Sequence, residues 1–185
     1  MKALICNEFG STKNLTLEEV KSPEPGAGQV LIDVHAAGIN FPDVLTVQGK
    51  YQFKPSLPFT PGIEVSGVIK KGGKEVKMRK VGDEVISTLQ TGAFASEVVT
   101  SENSTFLKGN MSFEQAAGFA LTYGTSYYAL KQRARLVAGE TVLVLGAAGG
   151  VGVATIQLAK AMGANVIAAA SNDTKLDFSE EAGAD

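Results

Sequence analysis

The stretch Gly146-Ala147-Ala148-Gly149-Gly150-Val151-Gly152 follows the apolar run Thr141-Val142-Leu143-Val144-Leu145 and opens a helical pattern over Gly150 to Met162. Its glycines fall at 146, 149 and 152, so the strict G-x-G-x-x-G spacing is not met; an A-x-G-x-x-G reading begins at Ala147. The chemistry survives that change. Bare backbone at Gly149 and Gly150 lets the main chain approach a diphosphate. The anion then faces the free N–H groups of the first helical turn, Gly150, Val151 and Gly152, at the positive end of the helix. Gly152 also allows the helix to pack closely on the strand. A glycine-rich bend alone is only a tight turn. Here strand, loop, helix and second strand (Val166 to Ala170) fit within about thirty residues, the context of a dinucleotide site. NAD binders place Asp or Glu at the tip of the second strand, on the ribose 2′-hydroxyl. This chain reads Ala170-Ser171-Asn172-Asp173-Thr174-Lys175 there. A hydroxyl at Ser171 and an ammonium at Lys175 suit a 2′-phosphate, so NADPH is the expected cofactor. Two alternatives stand: Asp173 one register away on the ribose, and Lys175 as a solvated helix charge.

Other chemistries are excluded by count. The 185 residues contain one cysteine, Cys6, and one histidine, His35. No disulfide forms within the chain and no Cys/His zinc site can be assembled. A Ser-His-Asp hydrolase would need His35, which lies in an apolar run and reads as a buried or edge histidine. Seventeen Lys and Arg against 19 Asp and Glu give a net charge of -2, which argues against nucleic acid or an anionic membrane as partner. The apolar fraction of 44% and charged fraction of 19% are those of a globular protein. No run reaches the about 18 apolar residues of a membrane span, and the first residues lack the apolar length of a secretory signal. A cytoplasmic protein is expected.

The elements that position the loop differ between the two ends of the chain. Up to about residue 115, short apolar runs (Ala3 to Cys6, Val30 to Ala37, Ile63 to Ile69, Val85 to Thr88, Phe94 to Thr100) alternate with turn signals such as Gly72-Gly73. This texture predicts a compact barrel or sandwich. Asn40 to Tyr51 reads as a brief helix, limited by Pro42, Gly49 and Pro55. After Asn110 the pattern turns helical. Ser112 and Gln115 form a capping box, and apolar residues recur from Ala116 to Leu130, weakened by Gly118 and Gly124. The run from Thr141 to Leu145 shows no polar alternation, as in a strand buried on both faces. With Val166 to Ala170 and a helix over Asp173 to Ala182 it makes a βαβα unit, which calls for parallel pairing. Domains are expected at 1–115 and 116–185.

The chain resembles the zinc-independent, ζ-crystallin-like quinone oxidoreductases of the medium-chain dehydrogenase/reductase superfamily. The carriers are Ala36-Ala37-Gly38-Ile39-Asn40-Phe41-Pro42-Asp43, Pro61-Gly62-Ile63-Glu64-Val65-Ser66-Gly67, Val81-Gly82-Asp83-Glu84-Val85, Leu121-Thr122-Tyr123-Gly124-Thr125 and the glycine loop with Ile156-Gln157-Leu158-Ala159-Lys160. The resemblance implies an α/β plus β architecture: a GroES-like, partly open β-barrel domain followed by a Rossmann-type NAD(P)-binding domain, here truncated. Where zinc-using relatives carry Cys and His ligands, this chain has Asn40 and Ile63, with Glu64 kept. Without such ligands the implied reaction is hydride transfer from NADPH to an acceptor that is already electrophilic, a quinone or an activated alkene. By resemblance Asn40 lies near the nicotinamide and the substrate. Tyr51 falls where relatives have a tyrosine in the active-site cleft, and Thr122 with Tyr123 approaches the nicotinamide ring. Leu45 stands where several relatives have a further tyrosine, while Asp43 and Glu64 read as structural.

Family members continue well past the position where this chain ends, so a fragment that turns over little by itself is expected. Relatives usually form homodimers. Two other readings remain: an NADPH-dependent enal or enoyl-thioester reductase, and a non-catalytic module that binds a dinucleotide.

Overall fold

Two nine-residue antiparallel strands, β3 (Gln29–Ala37) and β4 (Glu64–Gly72), form the spine of the amino-terminal part of the chain. In the computed structural model, which describes all residues from Met1 to Asp185, the chain divides into two compact units, Met1–Ala120 and Leu121–Asp185.

The first unit also holds β1 (Lys2–Ile5), β2 (Thr16–Glu19), α1 (Phe41–Val47), β5 (Glu84–Thr88), β6 (Glu97–Ser101), β7 (Thr105–Leu107) and α2 (Phe113–Ala117). Five strands form one antiparallel sheet in the order β6-β3-β4-β5-β7, and β1 and β2 pair separately. The Leu4 N–H donates to the Phe94 carbonyl at 2.9 Å, attaching the small sheet to the segment leading into β6. Val30 and Ile32, alternate residues of β3, bury their β-branched side chains against Val65, Ile69 and Val85. Irregularities in the β3–β4 register at Leu31/Ile32 and Val34/Ala36 bend the strands, as bulges do. Beyond the second of them lies Gly38-Ile39-Asn40, the approach to α1.

The short strands Thr16–Glu19 and Thr105–Leu107 carry no alternation that announces them, because all four residues of β2 are exposed and β7 has three residues. His35 sits on β3 with its side chain 42% exposed, at 4.2 Å between ring centroids from Phe113. Of the two readings, buried or edge, the second describes it: β6 pairing stops at Asp33, and residue 35 falls in the second irregularity of the β3–β4 register, where it has no strand partner. The helix after Asn40 ends at Val47, and the capping box is present, with Ser112 N–H donating to Gln115 Oε1 at 3.0 Å and Gln115 N–H to Ser112 Oγ at 3.2 Å.

The helical pattern from Ala116 breaks at Gly118, which caps α2, and resumes as α3 (Ala120–Tyr127), continued by a π-helical stretch over Tyr128–Arg133. The second unit then runs β8 (Thr141–Leu145), α4 (Gly150–Ala161), β9 (Asn165–Ala169) and α5 (Asp173–Glu181). β8 and β9 pair in parallel, Thr141 opposite Asn165 through Leu145 opposite Ala169. Val144 and Val166 pack with Ile156 and Ala159 of α4. Burial of β8 on both faces is not what the structure shows: Leu143 is 60% and Leu145 75% exposed, and Ile167 of β9 is 53% exposed. The aliphatic run fits a strand inside a wider sheet, but two strands backed by α4 bury only the residues that point toward the helix.

Candidate functional site

The bend between β8 and α4 is shaped by what its glycines permit. Gly146 turns the chain with φ +65, a left-handed conformation that side chains resist. Gly149 is the N-cap of α4, donating its own N–H to the Gly146 carbonyl at 3.0 Å and accepting from Val153 at 2.8 Å. The N–H groups of Gly150, Val151 and Gly152 therefore have no acceptor within the helix. At Gly152 a Cβ would come within 2.5 Å of the carbonyl oxygens of both Gly146 and Ala147. The tight packing expected of this glycine is thus against the loop backbone itself. A Cβ at Gly150 would meet the Thr122 methyl at 3.2 Å, which puts Thr122 beside the first turn of α4.

That first turn is also held from behind. The Val151 carbonyl accepts from Ser126 Oγ at 3.1 Å, and the one proton of Thr155 Oγ1 is shared between that carbonyl at 2.7 Å and Ser126 Oγ at 3.0 Å. Ser126 is buried. Neither hydroxyl stands out in the sequence, since Ser and Thr within helices usually back-bond or face solvent. Tyr123 donates its hydroxyl to Gln157 Oε1, a second tie between α3 and α4.

A pocket of about 600 Å³ opens on this loop, and Gly146, Gly149, Ser171 and Lys175 all line it. Lys175 Nζ donates to Ser171 Oγ at 3.0 Å, and Asn172 caps α5 by accepting from the Lys175 N–H at 3.0 Å. The cap fixes the first turn of α5, and Lys175 in that turn directs its ammonium back to Ser171, just past the end of β9. Asp173 is not among the lining residues, and no carboxylate is. Gly149, Ser171 and Lys175 are thus brought together at one concavity, while Gly150, Val151 and Gly152 form the adjoining helical turn.

Asn40 and Tyr51 belong to the first unit and bracket α1. Asn40 is the N-cap of the helix. Its main-chain N–H donates to Asp43 Oδ2 at 2.7 Å, and its side-chain Nδ2 donates to Glu64 Oε1 at 2.9 Å. Tyr51 lies past the other end, half-buried, its N–H on the Leu45 carbonyl at 3.2 Å. Asp43 and Glu64 are buried, at 3% and 1% exposure. Burial pushes the Asp43 carboxyl up to about 6; the Asn40 N–H opposes the shift and the Glu64 charge adds to it. Asp43 Oδ1 is buried without a hydrogen-bond partner. The sequence marked these two acids as structural. What it did not carry is that both converge on Asn40. No group of three or more His, Cys, Asp or Glu comes together to hold a metal ion, and no helix is long and apolar enough to cross a membrane.

Residues 26–155 match the alcohol dehydrogenase GroES-like domain and residues 150–185 the zinc-binding dehydrogenase family. A quinone oxidoreductase-like protein 2 homolog of Nematostella vectensis is 44% identical over 187 residues, covering 99% of this chain and 50% of that protein. The chain spans about half the length of the curated relatives it matches. Among solved structures, Escherichia coli quinone oxidoreductase complexed with NADPH superposes with a TM-score of 0.95 at 32% identity, covering 100% of this chain and 57% of that one. The CurK enoyl reductase does so at 0.91 and 35% identity, covering 100% and 58%. The chain belongs to the alcohol dehydrogenase GroES-like family, in the quinone oxidoreductase branch of the medium-chain dehydrogenase/reductase superfamily. Its two parts are a GroES-like domain and the start of a Rossmann-type domain.

Proposed function

We propose that this chain contributes the NADPH-binding loop and part of the acceptor site of an oxidoreductase that works without zinc on a quinone or a similar electrophilic acceptor. The carrying observation is the composition of the loop pocket: Ser171 and Lys175 stand at its rim with Gly146 and Gly149, and no carboxylate lines it. A hydroxyl and an ammonium at hydrogen-bonding separation fit a 2′-phosphate, whereas a ribose 2′-hydroxyl is normally met by an acid. The residues present therefore fit the cofactor. The N–H groups of Gly150, Val151 and Gly152 would hold its diphosphate, and Thr122 stands beside that turn. NADPH, when bound, supplies a hydride.

The donor set around Asn40 does not fit zinc. Asn40 spends its Nδ2 on Glu64, and Ile63 offers no ligand atom. Asn40 would hydrogen-bond the nicotinamide or the acceptor, and Tyr51 would stack on a flat acceptor or give it a proton.

Titrating the protein with NADPH and NADH by cofactor fluorescence tests the cofactor reading. NADPH is expected to bind at least tenfold tighter, and Lys175→Ala to remove about tenfold of that preference, the scale of one charge-assisted hydrogen bond. Equal binding of both cofactors, or an unchanged preference in Lys175→Ala, would sink it. The likeness to an enoyl reductase favours a second acceptor class. Turnover with a 1,4-quinone against saturation of an enoyl thioester, at fixed NADPH, separates the two. Tight NADPH binding with neither turnover in the intact protein would mark a non-catalytic module.

A further inference from the structure

We infer that Glu64 is a positioning residue for the reaction: its carboxylate fixes the Asn40 side chain in the orientation the acceptor meets. The inference rests on the reading that Asn40 touches the nicotinamide or the acceptor.

Asn40 stands in a loop between β3 and α1, where a side chain with two free torsions would sample several orientations. Two acids remove that freedom. Asp43, in the first turn of α1, accepts from the Asn40 main-chain N–H at 2.7 Å and fixes the backbone. Glu64 accepts from Nδ2 at 2.9 Å and fixes the amide plane. Glu64 is well placed for this task because it is the first residue of β4, paired to Thr88 of β5, so its Cα is held by the sheet. Its main-chain carbonyl also accepts from the Gly38 N–H at 3.2 Å.

The room for the carboxylate is provided by a missing side chain. A Cβ on Gly38 would lie 2.5 Å from Glu64 Oε1 and 2.4 Å from the Ala117 carbonyl oxygen, so only glycine lets the acid reach Asn40. At 1% exposure the Glu64 acceptor is shielded from water, so withdrawing it leaves a buried polar group without its partner. An amide fixed by a shielded acceptor restricts the approach of the reacting group, the kind of positioning that a displacement of about 1 Å degrades strongly.

The test separates reach from charge. Glu64→Gln keeps an Oε1 that still accepts from Asn40 Nδ2; Glu64→Asp keeps the charge but withdraws it by about 1.5 Å, one C–C bond. Steady-state kinetics of the intact protein with NADPH and a 1,4-benzoquinone are expected to show Glu64→Gln within about twofold of the wild type. Glu64→Asp should lose about tenfold in kcat, with the KM for NADPH unchanged. Asn40→Ala should lose at least as much. Adding Glu64→Asp to Asn40→Ala should cost nothing further, because a residue acting through Asn40 has no effect once that side chain is gone.

Full activity in Glu64→Asp, a tenfold loss in Glu64→Gln, or additive losses in the double variant would each overturn the positioning role. No loss in Asn40→Ala would overturn it together with the placement of Asn40 at the reacting centre. The cofactor reading is judged separately, by the Lys175→Ala titration.

Discussion

Asp43 offers a measurable consequence of burying an acid beside another. Its carboxyl is 3% exposed, one oxygen accepts from the Asn40 N–H, and the other has no partner. Burial carries it from the ordinary 3.8 to about 6 in the folded chain. Below 3.8 the group is protonated in both folded and unfolded states and costs nothing; as the pH rises through about 6 the folded state must accept a charge that the unfolded chain carries freely. Stability is therefore lost as pH rises across this window, the reverse of a salt-bridged acid. A shift of that size corresponds to about 3 kcal/mol, which relaxation of the surroundings around the buried charge reduces to about 2 kcal/mol. Asp43→Asn keeps an acceptor for the Asn40 N–H and removes the titration. Urea unfolding from pH 4 to pH 8 should find wild type and variant equally stable near pH 4, with the variant ahead by about 2 kcal/mol at pH 7. A gap that stays constant with pH, or wild type ahead at pH 7, would refute the reasoning.

Gly152→Ala should abolish NADPH binding and cost about 2 kcal/mol or more of stability in thermal unfolding, since a Cβ 2.5 Å from two carbonyl oxygens cannot be relieved by a rotamer change. Ser126→Ala removes a donor to the Val151 carbonyl and should cost about 1 kcal/mol. It should also weaken NADPH binding a few-fold, by loosening the turn that presents the free N–H groups, while leaving the NADPH-over-NADH preference unchanged.

The glycine loop was legible in the sequence because its job is done by backbone. The spacing marked residues 146 and 152 despite the departure from the strict motif, but not their reasons: Gly146 serves a left-handed turn, and Gly152 a close approach to the loop backbone rather than to the strand. The βαβα order was legible too, since Val142 to Leu145 and Val166 to Ala169 are apolar runs on either side of a helix with clear boundaries. Exposure needed a second reading: the aliphatic run by itself reads as a strand covered on both faces, and only the count of two strands in this sheet accounts for the bare Leu143, Leu145 and Ile167. The strand of β2 lacks any apolar face to betray it. Residues that act through others were hidden most deeply. The pairing of Asn40 with Glu64 spans 24 positions and depends on the empty side of Gly38, and the hydroxyls of Ser126 and Thr155 meet across 29 positions of chain. Such pairs follow from the bend of β3 and from the side-chain ties between α3 and α4, which one-dimensional periodicity does not encode.

The wet aliphatic side of the β8–β9 pair reaches into the thermodynamics of the whole chain. At the usual value per residue, 185 ordered residues take up about 2.5 kcal/mol/K on unfolding, most of it from apolar surface newly given to water. Side chains such as Leu145, already hydrated before the chain opens, add little to that uptake. For residues 1–185 by themselves, the free energy of folding therefore bends less with temperature than length alone implies.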